Sequence, residues 1–157
     1  MGTNLGISGA YILEALVQHN KFEFITMEGV PGLCDIAKSQ FMKISDESNF
    51  EIIQGLYDKT FPKLLEKHKD FDILFIDGNH QKSPTIDYFH ALKNNISSQA
   101  IMMFDDINFS IEMNEAWQTI IKDKDVNYSI DLHKLGIIII DKNDENRNRN
   151  FSLFLSY

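Results

Sequence analysis

Apolar runs and helical stripes alternate along this chain, and the order in which they do so predicts its architecture. Ala10 to Asn20 carries Ile12, Leu13, Leu16 and Val17 at helical spacing, with Ser8 expected at its N-cap. Phe22 to Met27 reads as a strand that ends on Glu28, and Gly29 to Gly32 as a turn. Leu33, Ile36, Ala37, Phe41 and Ile44 mark a second amphipathic helix. Phe50 to Gln54 is another strand, and Phe61, Leu64 and Leu65 suggest a short helix. Ile73 to Ile76 is too short for a helix and has no polar face, so it predicts a strand buried on both sides. It stops on Asp77-Gly78-Asn79-His80. Ser83-Pro84 opens a helix through Ile86, Phe89 and Leu92, with proline in the first turn where its missing N–H is harmless. Ala100 to Phe104 is a strand that stops on Asp105-Asp106, and Met113, Ala116, Trp117, Ile120 and Ile121 mark the last helix.

The pattern changes near the C-terminus. Val126 to His133 and Leu135 to Ile140 are separated by a residue or two and predict an antiparallel pair. Asp141 to Asn150 is polar and Asn-rich, and Phe151 to Tyr157 predicts a final short strand. Alternating strands and helices give an α/β class, a doubly wound and mostly parallel sheet with an antiparallel C-terminal pair. No internal repeat or linker interrupts residues 1–157, so a single domain is expected.

Charge narrows the partners. Fifteen Lys and Arg against 23 Asp and Glu give a net charge of −8. That argues against a nucleic-acid backbone or an anionic membrane, while leaving room for a nucleotide-like ligand held by local donors. The lone cysteine, Cys34, excludes an internal disulfide and fits a reducing compartment. No apolar run approaches the roughly 20 residues that span a bilayer, and no signal peptide is visible. A cytoplasmic protein is the default expectation.

Two features carry the chemistry. Gly2-Thr3-Asn4-Leu5-Gly6-Ile7-Ser8-Gly9 is a glycine-rich turn feeding a helix N-terminus, where backbone N–H groups can meet an anionic group. Two buried strands deliver Asp77, Asp105 and Asp106 to one sheet edge, the end where ligands bind in open parallel sheets. Glu28, about twenty residues beyond the glycine loop, is spaced as a ribose-binding carboxylate would be. Each feature also has a plainer reading: an ordinary turn, a solvated acid before a helix, acids that only cap loops.

Together, Gly2 to Ser8, Thr26-Met27-Glu28, Phe75 to His80 and Phe104-Asp105-Asp106 resemble the successive motifs of class I S-adenosylmethionine-dependent methyltransferases. The likeness is strongest to small O-methyltransferases of the catechol and caffeoyl-CoA type, in the subgroup with Asp-Gly-x-His, and it runs from Gly2 to about Asp141. It implies a Rossmann-like fold and S-adenosylmethionine as cofactor. Gly2, Thr3, Asn4, Gly6 and Ser8 would wrap the methionine part, Glu28 the ribose hydroxyls, Gly55, Leu56 and Tyr57 the adenine, with Asp77 also touching the cofactor. Asp77, Asp105 and Asp106 match the positions that hold a divalent metal in the catechol-type enzymes, where the third is commonly Asn, so Mg²⁺ is expected. His80 falls where those enzymes carry a lysine base, and with Asp77 it is the catalytic candidate.

In the family, a first strand ending in an acid precedes the glycine loop. This sequence begins at Met1-Gly2, so the resemblance implies a domain lacking that strand. The expected partner is a small hydroxylated acceptor. A homodimer could form through the apolar segment Phe151 to Leu155. The competing readings are a non-catalytic Rossmann-like module that binds a nucleoside or a partner chain, and an aspartate-trio receiver-like domain. The latter expects its acidic pair before the single acid, the reverse of the order here. His19, His68, His90 and His133 show no partner pattern; Cys34 and Trp117 read as core.

Overall fold

A computed structural model describes residues 1–153. The chain is α/β, with five helices and seven strands among the described residues. It divides into two compact units, Met1–Leu64 and the residues from Leu65 onward.

The first unit holds α1 (Ile7–Leu16), β1 (Phe24–Glu28), α2 (Pro31–Phe41), a 3-10 turn (Glu47–Asn49) and β2 (Phe50–Gln54), and enters α3 (Tyr57–Lys67). β1 and β2 pair in parallel from Phe24 opposite Phe50 to Glu28 opposite Gln54. The core is Leu13, Ala37, Phe41 and Phe50, with Phe24 and Phe50 each meeting the Phe41 ring edge-on at 5.5 and 5.4 Å. Cys34 is buried, and burial pushes its thiol pKa up, with the Glu28 and Asp35 carboxylates adding to the shift.

The second unit holds β3 (Phe71–Ile76), α4 (Lys82–Leu92), β4 (Ile96–Phe104), α5 (Ile111–Ile120), β5 (Tyr128–Asp131), β6 (Gly136–Asp141) and β7 (Arg149–Ser152). They form a five-stranded sheet in the order β3-β4-β6-β5-β7. β3 and β4 are parallel; β6 is antiparallel to both β4 and β5, the expected C-terminal pair. Met102, Phe104, Ile138 and Ile140 point to one face and are buried with Phe89 and Leu92 of α4 and Met113 and Trp117 of α5. Phe104 lies between Phe89 and Trp117, with ring centroids at 6.4 and 6.3 Å. Gly136 lets this layer close: a Cβ there would sit 2.7 Å from the Trp117 ring.

Four expectations need correction. The run Ile73 to Ile76, expected to be buried on both sides, lies in β3 with Ile73 58% exposed, so only one side of the strand is sealed there. Helix α1 starts at Ile7, so Ser8 lies inside its first turn and is not the N-cap. The cap is Gly6, whose left-handed backbone (φ +80°) lets the Thr3–Gly6 turn run straight into the helix. β4 begins at Ile96, four residues before the anticipated start, because Phe71 N–H donates to Asn95 O and Ile96 pairs with Phe71. The final strand begins at Arg149, within the stretch expected to be loop, because Asn148 and Arg149 N–H donate to Val126 O and Asn127 O and start a parallel ladder with β5. Residues 154–157 of the anticipated segment lie outside the described residues.

Helices α4 and α5 are tied by the ion pair of Lys82 Nζ with Glu115 Oε2 at 2.6 Å and, at their C-terminal ends, by an ionic cluster. Lys93 Nζ donates to Asp123 Oδ1 and Oδ2 at 2.9 and 2.8 Å and to Asp125 Oδ2 at 2.8 Å. Burial works against ionisation of both Lys93 and Asp123, but their mutual bonds outweigh it: the Lys93 pKa is raised and the Asp123 pKa lowered. The Asp123 contribution is present above its unfolded value, about pH 4, and is lost as pH falls through the depressed folded value. The Lys93 contribution is present below its unfolded value, about pH 10.4, and is lost as pH rises through the raised one. Lys93→Met strands a carboxylate whose side chain is only 12% exposed. The expected loss is about 2–3 kcal/mol near neutral pH, read by urea unfolding, and it should shrink at both pH extremes.

Candidate functional site

In the first unit the glycine loop is built around Glu28. The Glu28 carboxylate accepts the Asn4 N–H at 2.8 Å through Oε2 and the Val30 N–H at 3.0 Å through Oε1. Its backbone carbonyl accepts the Gly55 N–H at 2.8 Å. One residue at the end of β1 therefore gathers three loops: residues 2–6, the turn after β1 and the turn after β2. Each carboxylate oxygen keeps a second lone pair for a ligand hydroxyl. Thr3 is fixed from two sides, its N–H donating to Met27 O at 3.1 Å and its buried hydroxyl sharing a 2.7 Å bond with that of Thr26. Its side chain thus serves the scaffold, and the loop presents backbone.

Gly2 (φ +87°), Asn4 (φ +48°) and Gly6 all take left-handed backbone, which turns the chain sharply before α1. The first amides of α1, including that of Ser8, have no acceptor within the helix and are donors for an anionic group. Gly55 (φ +142°) has Thr60 Cγ2 2.8 Å from where a Cβ would sit. Leu56 is exposed and Tyr57 half-buried just beyond it. Asn4 and Gly55 are thus held to Glu28 by hydrogen bonds and Gly6 closes onto Thr3 O, with Gly2 in the same loop, and Ser8, Leu56 and Tyr57 follow on adjoining first helical turns and loop. These residues leave uncrowded backbone and a ready carboxylate, which fit the ribose and methionine ends of an adenosyl cofactor.

In the second unit Asp77 leaves β3 beside Asp105 at the end of β4, the two strand ends held by the bond from Asp105 N–H to Ile76 O at 3.0 Å. His80 Nε2 stands 3.7 Å from Asp77 Oδ1. Burial, then the charge of Asp105, pushes the Asp77 carboxyl pKa up; His80 draws it down, and Asp106 raises it further. Asn79 (φ +62°) and Asp106 (φ +54°) hold left-handed turns that aim this edge. The donors are all hard oxygens, the chemistry Mg²⁺ prefers. Among the described residues the three aspartates do not bring an oxygen each within 4.8 Å of the others.

Phe109 and Ile111 were not anticipated. They are 71% and 81% exposed in the loop after Asp106 and at the start of α5, and the Phe109 ring lies 6.0 Å from that of His80. Their position three and five residues after the acidic pair Asp105-Asp106 was the available signal.

Comparisons with known proteins converge. Solved structures with the same fold include the O-methyltransferase from Bacillus cereus in complex with SAH (TM-score 0.73, 18% identity, 90% of this chain and 71% of that one). The Podospora anserina methyltransferase in its SAH-bound form gives TM-score 0.72 and 17% identity, over 91% of this chain and 70% of that one. The O-methyltransferase from Streptomyces achromogenes involved in tomaymycin synthesis, in complex with SAM, gives TM-score 0.71 and 16% identity, over 90% and 71%. No curated protein matches the sequence. Among the described residues no helix is long and apolar enough to cross a membrane. The family model described as a methyltransferase domain matches residues 1–107, well over half of the sequence, and the chain belongs to the methyltransferase-domain family.

Proposed function

We propose that the chain uses S-adenosylmethionine to methylate a hydroxyl group of a small acceptor. The observation that carries this reading is Glu28, which gathers the glycine loop and the Gly55 turn while keeping lone pairs free. Its role is to accept both ribose hydroxyls, while Gly2, Asn4, Gly6 and the start of α1 take the amino-acid end of the cofactor. Gly55, Leu56 and Tyr57 flank the adenine. The cofactor supplies an electrophilic methyl on a sulfonium; the S–C bond breaks as the O–C bond forms, leaving a neutral thioether.

The remaining work falls to the strand-end residues. His80 takes the hydroxyl proton on a ring nitrogen, and Asp77 orients the imidazole and stabilises its charged form. Phe109 and Ile111 offer an apolar wall to the body of the acceptor and keep water from it. Asp77, Asp105 and Asp106 would hold Mg²⁺, which would lower the acceptor's pKa. A soluble cytoplasmic enzyme fits this chemistry and the composition.

Calorimetric titration with S-adenosylhomocysteine, with and without Mg²⁺, tests the proposal. Saturable binding is expected, and its absence from a folded chain would favour a non-catalytic module. Asp77→Asn adds a second readout. A carboxyl whose folded pKa is raised costs stability above its unfolded pKa, so the variant should melt slightly higher at pH 7, by on the order of 0.5 kcal/mol. Mg²⁺ should raise the melting temperature of the wild type and leave the variant unmoved; an equal rise in both would remove Asp77 from the metal set.

A further inference from the structure

The glycine loop is fastened to β1 by two kinds of bond. Thr3 N–H donates to Met27 O at 3.1 Å, and Asn4 N–H to Glu28 Oε2 at 2.8 Å. Both use backbone amides of the loop, which every residue but proline carries, so neither depends on which residue stands there. The 2.7 Å bond between the Thr3 and Thr26 hydroxyls is of the other kind, because it needs a particular side chain on the loop. Slid by one residue, the loop would bring Gly2 or Asn4 to Thr26. Gly2 has no side chain, and Thr26 is only 6% exposed, so its hydroxyl would lose this partner in a buried place. Asn4 is exposed and in left-handed backbone, and its longer amide would have to be buried where Thr3 fits. The hydroxyl pair therefore singles out one register.

The start of α1 hangs on Thr3. Gly6 N–H donates to Thr3 O at 2.8 Å and Ala10 N–H to Gly6 O at 2.8 Å, so the place of Thr3 is passed through the turn to the first helical amides. Glu28 is poorly suited to hold the loop alone. Its carboxylate already takes the Asn4 and Val30 amides and is asked for the ribose hydroxyls as well. Alternation along β1 puts Thr26 on the same face as Glu28, two residues back, buried and uncharged. We propose that Thr26 is a positioning residue: acting through Thr3, its hydroxyl selects the register of the glycine loop and holds it while Glu28 is shared with the ligand. This rests on the cofactor reading of the first unit given above.

The test measures calorimetric affinity for S-adenosylhomocysteine, hydrogen exchange at the Asn4 and Gly6 amides, and the urea midpoint, all on the full chain. Thr26→Val keeps the shape and removes the hydroxyl; affinity should fall about tenfold and both amides should exchange faster. Thr26→Ser keeps the hydroxyl and should bind within about twofold of the wild type. Thr26→Val combined with Thr3→Val removes both partners, so no hydroxyl is left buried and unpaired, and the urea midpoint should return close to the wild-type value while affinity stays about tenfold low. A pair that served stability alone would regain affinity together with the midpoint. If Thr26→Val does not fold, the double variant decides by itself. Wild-type affinity in Thr26→Val, recovered affinity in the double variant, or a double variant that does not fold would each overturn the proposal with the cofactor reading intact. A folded wild-type chain that does not bind S-adenosylhomocysteine would instead remove the cofactor reading, and this proposal with it.

Discussion

Glu28→Ala should lower the affinity for S-adenosylhomocysteine by about 100-fold, the loss of two charge-assisted bonds worth on the order of 1.5 kcal/mol each. The effect has two sources, and they separate experimentally. One is the missing partner for the ribose hydroxyls. The other is release of the Asn4 and Val30 amides, which hold the glycine loop in its turn. Glu28→Gln keeps an acceptor oxygen for one of the amides and should recover part of the loop's order with little of the affinity. Hydrogen exchange at Asn4 and Gly6 would report the loop, and calorimetry the ligand. If both variants bind as the wild type does, Glu28 is a scaffold residue and the cofactor reading of the first unit fails.

Gly6→Val should destabilise the first unit by roughly 3 kcal/mol, enough to leave it largely unfolded at physiological temperature. Two penalties add. The backbone is left-handed at φ +80°, which a β-branched residue adopts at considerable cost. A Cβ would also lie 2.9 Å from both Cα and Cβ of Ala37, and the first of these is backbone that cannot swing aside. Gly6→Ala carries the same backbone cost with less bulk and should fall between, at about 2 kcal/mol. A urea melt followed by far-UV dichroism reads both. A neutral Gly6→Val would mean that α1 and α2 do not approach at Gly6 as closely as described.

The sequence announced some of these features and hid others, for physical reasons that differ from residue to residue. Asp77 was legible because an all-apolar run, Ile73 to Ile76, has to end where the chain leaves the core, and the first polar residue marks that end. The antiparallel pairing of β5 and β6 followed from a connection too short for a crossover. The start of α1 was missed because Gly6 caps through its backbone angle, where the expectation looked for a hydroxyl at Ser8. β7 begins with Arg149 and Asn150, both exposed, so it shows no hydrophobic alternation; only its ladder to β5 defines it. The Thr3 hydroxyl is buried against that of Thr26, a contact between residues 23 positions apart that no local pattern encodes.

The strand order β3-β4-β6-β5-β7 has a consequence for how the second unit comes into being. β6, the middle strand, is made after β3, β4 and β5 but lies between the last two. On the ribosome, β4 and β5 therefore wait without a common neighbour until Gly136–Asp141 has emerged, so the sheet closes late and all at once. Once inserted, Ile137 to Ile139 are flanked by β4 and β5, and their amides should be among the slowest in the chain to exchange with solvent.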